Sequence, residues 1–348
     1  MKIDDVASLP KAVLHDHLDG GLRAETVLEL ADSCGYRGLP SDDPRALASW
    51  FQQGSARSLE AYLAAFEFTI AVMRTPEAIE RVAYEAVVDL AADGAVYAEL
   101  RFGPSLHLPE MRREDAIEAA GAGLARGSAD TGCVAALIVT ALRNMDDSEA
   151  VARAAARFVG DVVGFDLAGP EAGYPADEHL AACRLAREAG LGLTVHAGEG
   201  DGPESVWRAV GRCGAQRIGH GVRIADDAKW EDGEISVLGS LARSVRDLQI
   251  PLELCITSNV QTGIAESAED HPFAALVRCG FAVTINTDNR LMSGVSLADE
   301  YRTAVAVADL SLPDVGRIVE RTIQAGFGDY AERRRLIEDT VRPAYGLA

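Results

Sequence analysis

The sequence predicts a (β/α)8 barrel, or TIM barrel, with additional helices. Strand-like and helix-like segments alternate along the chain and give eight candidate strands separated by helices. Several of these strands are apolar on both faces, as parallel strands covered by helices must be. The length of 348 residues exceeds what eight β-α units need, so it leaves room for extra helices. In such a barrel the active site lies at the carboxyl-terminal mouth of the strands.

The eight candidate strands are short and rich in aliphatic and β-branched residues. They cover residues 11–15, 96–101, 133–142, 162–167, 191–195, 217–220, 251–256 and 281–287. The segments between them, many rich in Ala, Leu and Glu, predict helices over 24–34, 56–92, 113–127, 147–159, 176–189, 203–213, 235–248 and 270–279. The remainder is predicted to be mostly helical.

One domain over residues 1–348 is the preferred organisation. A doubly wound sheet with a second domain is the competing prediction, because the length alone would allow two domains. However, the sequence contains no Pro/Gly/Ser-rich linker, low-complexity segment or internal repeat that would mark a boundary.

The net charge of −21 argues against nucleic acid or an anionic membrane as a partner. A neutral small molecule fits this charge. The apolar stretch 134–139 is too short to span a bilayer, and residues 1–8 contain no apolar run of signal-peptide length. We therefore expect a cytoplasmic protein, either a monomer or a homodimer.

Histidines and one aspartate stand at the ends of four predicted strands. The first strand runs into His15 and His17, and the fifth into His196. The sixth ends at His220, and the eighth leads to Asp288. The carboxyl ends of barrel strands converge on one mouth, so these side chains are predicted to lie close together. Strand alternation places His15 and His17 on the same side.

A ligand set of three imidazoles and one carboxylate leaves a coordination position open for water. The candidate ligands are His15, His17, His196 and Asp288. This set suits one Zn²⁺ per chain, although it would also admit Co²⁺ or Fe²⁺. The other three histidines fall in loops or helices and are not expected in the site: His107, His179 and His271.

Glu199 and His220 are then a spare carboxyl and a spare imidazole at the same mouth. Their predicted role is to transfer a proton to the substrate and to take one from the water. Glu199 lies in the glycine-rich loop 198–202, which is only a weak candidate for a phosphate cradle. It lacks both the dinucleotide fingerprint and a P-loop lysine.

Five segments carry a more specific signal: 10–20 (PKAVLHDHLDG), 164–169 (GFDLAG), 194–199 (TVHAGE), 218–221 (IGHG) and 286–288 (NTD). In order and spacing they resemble the motifs of the adenosine/AMP deaminase family, over nearly the whole chain. The resemblance implies a zinc-dependent hydrolase that deaminates adenosine and 2'-deoxyadenosine to inosine and ammonia in purine salvage. It is not the cytidine-deaminase type, whose H-x-E and P-C-x-x-C motifs are missing.

The resemblance also implies a role for each site residue. The zinc ligands would be the four candidates named above. Glu199 would protonate N1 of the purine, and His220 would orient and deprotonate the attacking water. Gly169 would offer its backbone N–H to N3, Asp19 would face the ribose hydroxyls, and His17 would also contact the substrate.

Residues 58–68 resemble the family's gating helix. Four apolar residues share one face at helical spacing: Leu59, Tyr62, Leu63 and Phe66. Without the resemblance, ordinary core packing would be the better explanation of this stripe. With it, we expect a hydrophobic lid over the purine that excludes water from the polar contacts beneath.

Asn289 departs from the family pattern, in which a second aspartate follows the first and binds purine N7. Because N7 is an acceptor, an aspartate there must be protonated to donate, whereas the Asn289 NH₂ donates at any pH. The alternative is a shifted substrate preference, towards a base modified near N7 or C6. For the enzyme as a whole, the runner-up substrates are other 6-aminopurine compounds such as 6-amino-6-deoxyfutalosine or adenine. A barrel that binds nucleosides without catalysis is less expected, since Glu199 and His220 are both present.

Overall fold

The computed structural model describes residues 3–52, 54 and 56–348. Its strands are Lys11–His17 (β1), Ala95–Phe102 (β2), Val134–Leu142 (β3), Val162–Ala168 (β4), Gly192–Ala197 (β5), Arg217–His220 (β6), Ala228–Glu231 (β7), Glu234–Leu238 (β8), Leu252–Leu254 (β9) and Val283–Ile285 (β10).

The helices surround these strands and follow one another along the chain. They are Ala24–Cys34 (α1), Pro44–Phe51 (α2), Leu59–Leu63 (α3), Phe66–Val72 (α4), Pro76–Ala92 (α5), Arg113–Thr131 (α6), Ser148–Ala155 (α7), Leu180–Glu188 (α8), Pro203–Trp207 (α9), Ser240–Asp247 (α10), Ile256–Gln261 (α11), Phe273–Arg278 (α12), Arg290–Ser293 (α13), Leu297–Ala308 (α14), Leu312–Ala325 (α15), Tyr330–Leu336 (α16) and Arg342–Tyr345 (α17). Within the described residues, no helix has the length and apolar character that crossing a membrane requires.

Eight of the strands form one parallel sheet in the order β1-β2-β3-β4-β5-β6-β9-β10. The first strand then pairs with the segment after β10. The His17 N–H donates to the Asp288 carbonyl at 2.7 Å, and the Asp288 N–H donates to the His15 carbonyl at 3.0 Å. These bonds bring the two ends of the sheet together, so the predicted barrel is confirmed.

The interior of the barrel is polar, and the apolar core lies between the strands and the helices. In β2, Leu100 and Phe102 are fully buried in the apolar cluster, together with Val87 of α5. The alternate residues Glu99 and Arg101 are also fully buried, but they bond to side chains from other barrel strands. Burying a large apolar side chain contributes about 1.5–3 kcal/mol. The outward face therefore stabilises the barrel while the inward face carries charge.

The single helix predicted over 56–92 is wrong, because the segment contains α3, α4 and α5. Thr75 caps α5 by accepting a hydrogen bond from the Ala78 N–H at 3.2 Å, and Pro76 occupies the first turn. Proline has no N–H to donate and clashes with a preceding helical turn, so it starts a helix rather than continuing one. The threonine–proline pair was the missed boundary signal.

The helix predicted over 235–248 is wrong in its first part, which lies in β8, the second strand of the β7–β8 hairpin. Asp232 and Gly233 make its two-residue turn with φ of 51° and 79°, the conformation that an Asp-Gly turn favours. The strand predicted over 251–256 is shorter than expected, because α11 begins at Ile256. That short helix carries residues that contact the site.

Candidate functional site

The strand ends bring the four predicted ligands together: His15, His17, His196 and Asp288. Each offers one ligand atom, and the four atoms lie within 4.8 Å of one another. His17 Nε2 is 3.2 Å from His196 Nε2. Asp288 Oδ1 is 3.3 Å from His15 Nε2 and 3.5 Å from His17 Nε2. The cluster therefore has the dimensions of a single-ion site.

Two buried carboxylates determine which ring nitrogens face this cluster. The Nδ1 of His15 bonds to Glu253 at 2.9 Å, and the Nδ1 of His196 bonds to Asp166 at 3.0 Å. A carboxylate accepts, so in both rings the proton lies on Nδ1 and the lone pair on Nε2. His15 Nε2 is buried without a hydrogen-bond partner. Converging lone pairs and a carboxylate fit a cation.

Asp288 is held in place from two directions. Ser258 of α11 donates its hydroxyl to Asp288 Oδ2 at 2.6 Å, while the backbone of Asp288 pairs with β1. Burial acts to raise the pKa of Asp288, but the neighbouring imidazoles of His15 and His220 outweigh it and hold the pKa below its usual range. The side chain therefore presents a charged oxygen to the cluster.

A buried ionic network supports the two carboxylates behind the histidines. Arg101 donates to Glu253 at 2.8 Å and to Asp166 at 3.2 Å. Arg217 donates to Glu253 at 2.7 Å and to Glu99 at 2.6 Å. Burial acts to raise the pKa of Glu253, but Arg101 and Arg217 hold it well below its usual range. The carboxylate that orients His15 is therefore ionised.

Glu199 and His220 lie beside the cluster, with Glu199 Oε2 3.5 Å from His220 Nε2. Burial, reinforced by the charges of Asp288 and Glu171, raises the pKa of Glu199 well above its usual range. Burial, followed by the effect of His15, lowers the pKa of His220 well below its usual range. The pair therefore combines a carboxyl and an imidazole whose burial favours the uncharged form of each.

The loop that carries Glu199 is fastened by a carboxylate from the loop after β4. Glu171 is buried and accepts four backbone N–H groups, from Gly198, Glu199, Gly200 and Asp201, at 2.7 to 3.1 Å. Converging backbone N–H groups form an anion-binding concavity. Because Glu171 fills this concavity, the glycine-rich loop does not serve as a phosphate cradle.

A small cavity of about 40 Å³ lies over the cluster. Its lining includes the predicted lid and pocket residues Leu59, Tyr62, Leu63, Phe66, Gly169 and Asn289, together with His17, His196, Glu199, His220 and Asp288. The predicted gating helix is not continuous, because α3 ends at Leu63 and α4 begins at Phe66. Both short helices nevertheless contribute to the cavity wall.

Asp19 is the one predicted pocket residue outside the cavity lining. Its carboxylate lies 3.9 Å from His17 Nδ1, and burial raises its pKa to about 7. The position of the Asn289 side chain requires a glycine at residue 20, because a Cβ at Gly20 would lie only 2.0 Å from Asn289 Oδ1. The bare backbone of Gly20 gives the amide its space.

Six residues in contact with the site machinery were given no role by sequence reasoning: Asp166, Glu171, Glu253, Ser258, Asn259 and His271. Asn259 bonds to His220 at 3.0 Å and to His271 at 3.2 Å. His271, which was expected to lie outside the site, is therefore connected to His220 by the side-chain amide of Asn259. Only Asp166 had a signal, because it lies within the motif 164–169.

The chain matches the family model described as "Adenosine deaminase" over residues 10–343. A curated relative named adenosine deaminase, from Mycobacterium marinum, is 47% identical and aligns over 99% of this chain and 98% of its own length. Among solved structures, an adenine deaminase from Arthrobacter aurescens is 25% identical with a TM-score of 0.87, covering 96% and 98% of the two chains. An N6-methyl-AMP deaminase from Arabidopsis thaliana is 25% identical with a TM-score of 0.79, covering 99% and 98%.

Replacing the carboxylate that fastens the loop should destabilise the protein. In Glu171→Gln the charge is lost and an NH₂ group faces backbone donors, so we expect the free energy of unfolding to fall by about 1–3 kcal/mol. Urea denaturation measures this change. The exposed Glu118→Gln is the matched control, with an expected change within about 0.5 kcal/mol. Equal stabilities of the two variants would contradict the role of Glu171.

Proposed function

The chain belongs to the adenosine deaminase family, and on that basis we propose that it hydrolyses adenosine and 2'-deoxyadenosine at C6 of the purine, releasing ammonia. The products are inosine and 2'-deoxyinosine, as purine salvage requires. One observation carries the proposal: a cluster with the dimensions of a metal site and the buried carboxyl of Glu199, whose protonated form burial favours, face the same cavity. Hydrolysis at an aromatic carbon needs both a hydroxide and an acid.

The ligands of the proposed metal ion are His15, His17, His196 and Asp288, with one ion per chain. A set of three nitrogens and one carboxylate oxygen suits Zn²⁺. A zinc ion there would lower the pKa of water and so make hydroxide available near neutral pH. The carboxylates behind His15 and His196 keep the ligating nitrogens unprotonated.

The proposed role of Glu199 is to protonate N1 of the purine as oxygen bonds to C6. Without that proton the ring would have to carry the developing negative charge. Burial favours the protonated form of the Glu199 carboxyl, which this role requires. The hydroxyl proton of the adduct then passes to the amino nitrogen as the C6–N bond breaks, so that C6 keeps its oxygen as a carbonyl and ammonia leaves. The proposed role of His220 is to contact the attacking water, opposite the metal ligands.

The rest of the cavity provides recognition in this proposal. Gly169 offers its backbone N–H to N3, while His17 and Asp19 contact the nucleoside. The apolar lid consists of Leu59, Tyr62, Leu63 and Phe66. A cavity of about 40 Å³ has room for only a few water molecules, so α3 and α4 must move for a nucleoside to enter.

A nucleoside suits the site better than a nucleotide. The anion-binding concavity of the glycine-rich loop is already filled by Glu171. The second candidate is another 6-aminopurine compound, such as 6-amino-6-deoxyfutalosine or adenine, and the observation that favours it is Asn289 in the cavity wall. In either case we propose a single catalytic domain over residues 1–348, in the cytoplasm, as a monomer or homodimer.

Removing the proton donor should abolish turnover and leave the fold intact. In Glu199→Gln we expect kcat with adenosine to fall about 10²–10⁴-fold, because the amide cannot give a proton to N1. Bound zinc and thermal stability should stay unchanged, since Glu199 is not a proposed ligand. The exposed Glu204→Gln is the control, with wild-type kcat. Near-normal turnover in Glu199→Gln would overturn the assigned role.

Removing a ligand should release the metal. Asp288→Ala and His17→Ala are each expected to lower the zinc content measured by elemental analysis, and chelation of the wild type should abolish activity. His107→Ala is the control, because this buried histidine lies outside the cluster and its loss should leave zinc bound. Full activity in metal-free protein would reject the metal site and the mechanism together.

The Asn289 amide should discriminate against a purine without N7. With 7-deaza-adenosine the amide loses its acceptor, at a cost of about 1–3 kcal/mol, or roughly 5- to 150-fold in kcat/KM. In Asn289→Ala the two nucleosides should become nearly equal, which isolates this contact from other effects of the analogue. Equal kcat/KM in the wild type would show that Asn289 does not bind N7, and would favour the second candidate.

A further inference from the structure

A chain of hydrogen bonds runs from the backbone of α12 to the catalytic histidine. Its members are Phe273, His271, Asn259 and His220, and its three heavy-atom distances are 3.1, 3.2 and 3.0 Å. The side chains of Asn259, His271 and His220 are all buried. The interior offers little water to replace these bonds, so their direction governs where the protons lie.

The Phe273 N–H, at the backbone end of this series of hydrogen bonds, determines which group donates and which accepts in each bond. The Phe273 N–H can only donate, and it bonds to His271 Nδ1. Nδ1 is therefore the acceptor nitrogen of that ring. Burial lowers the pKa of His271 to about 3, so the ring is neutral and its one proton lies on Nε2. That nitrogen faces Asn259 Oδ1, which accepts.

Asn259 passes this direction on to His220. With Oδ1 receiving the proton of His271, the NH₂ of Asn259 is turned towards His220 Nδ1 at 3.0 Å. An amide NH₂ donates and does not accept, so His220 Nδ1 must hold a lone pair. With Nδ1 bare, the one proton of the His220 ring lies on Nε2, the nitrogen 3.5 Å from Glu199 Oε2.

We propose that Asn259 and His271 are positioning residues that fix His220 in its Nε2–H tautomer, so that His220 presents a hydrogen-bond donor to the attacking oxygen. This inference rests on the proposed deamination and gives His220 a definite role within it. A neutral ring with a proton on Nε2 orients the oxygen but offers it no basic lone pair. The proton of the water must then leave on a carboxylate of the cavity, Glu199 or Asp288.

The tautomer can be measured directly in the zinc-loaded wild-type protein. Two-bond ¹H–¹⁵N correlation spectra of ¹⁵N-histidine-labelled protein distinguish a protonated ring nitrogen from a bare one. The loss of one ring's signals in His220→Gln assigns His220. We expect Nε2 protonated and Nδ1 bare. A proton on Nδ1, or on both nitrogens, would overturn the inference. This measurement needs no turnover, so its failure is distinguishable from failure of the proposed function.

Two substitutions at Asn259 separate the tautomer from packing. Asn259→Asp keeps the shape but provides an acceptor, which draws the proton of His220 to Nδ1, whereas Asn259→Ala merely releases the ring. We expect kcat for adenosine to fall about 10–100-fold in the alanine variant and further in the aspartate variant, with bound zinc unchanged. A packing role would give the opposite order. Wild-type kcat in Asn259→Asp, with the proton on Nδ1, would overturn the donor role.

The far end of the chain supplies a rescue test. His271→Gln retains an N–H donor for Asn259 Oδ1, whereas His271→Leu removes it and frees the amide to rotate. We expect kcat to fall less in the glutamine variant than in the leucine variant. The matched control is His107→Leu, because His107 is a buried histidine that takes no part in this series of hydrogen bonds. This variant should keep the wild-type kcat. An equal fall in kcat in both His271 variants would contradict the positioning role of His271.

Discussion

The site depends on charge neutralisation inside the barrel. Arg101 lies between Glu253 and Asp166 and contacts both, and each of these carboxylates orients one histidine of the cluster. Isolated charges at this depth would cost many kcal/mol, and only pairing with good geometry makes them tolerable. The same bonds that neutralise the interior therefore also fix the tautomers of His15 and His196. Stability and function share one network.

This arrangement explains why the barrel closes where it does. The backbone bonds between β1 and Asp288 complete the ring of strands, and the same two segments supply three of the four cluster residues. Asp288 and His220 both adopt positive φ, 59° and 57°, which is uncommon for residues with a side chain. Strained backbone of this kind persists only where the surroundings over-determine it. Here the hydrogen bonds from Ser258 and Asn259 do so.

Sequence reasoning reached the barrel and the cluster because both follow from order along the chain. Histidines at the ends of parallel strands must meet at one mouth, whatever the details of packing. The same reasoning could not find Glu253 or Glu171, because their partners are distant in sequence and only the fold shows that a buried charge is paired. It also missed Asn259, which lies just past a predicted strand that ends earlier than its apolar residues suggest. The errors at the start of α5 and in the β7–β8 hairpin are different in kind, since the Thr75-Pro76 and Asp232-Gly233 signals were present in the sequence.

The glycine-rich loop 198–202 has backbone N–H groups suited to binding an anion, but its sequence does not say which anion binds there. Its consecutive backbone N–H groups would bind any anion that reached them. In this protein the carboxylate of Glu171 accepts hydrogen bonds from these N–H groups, so the bound anion is one of the protein's own side chains. These bonds hold the loop in place. Rigidity there fixes the backbone of Glu199, and the charge of Glu171 helps to keep the Glu199 carboxyl protonated. A loop that the sequence offered as a weak candidate for phosphate binding therefore holds Glu199, the proposed proton donor, in place. The polar groups left for the proposed recognition of substrate are those lining the cavity beneath the proposed lid.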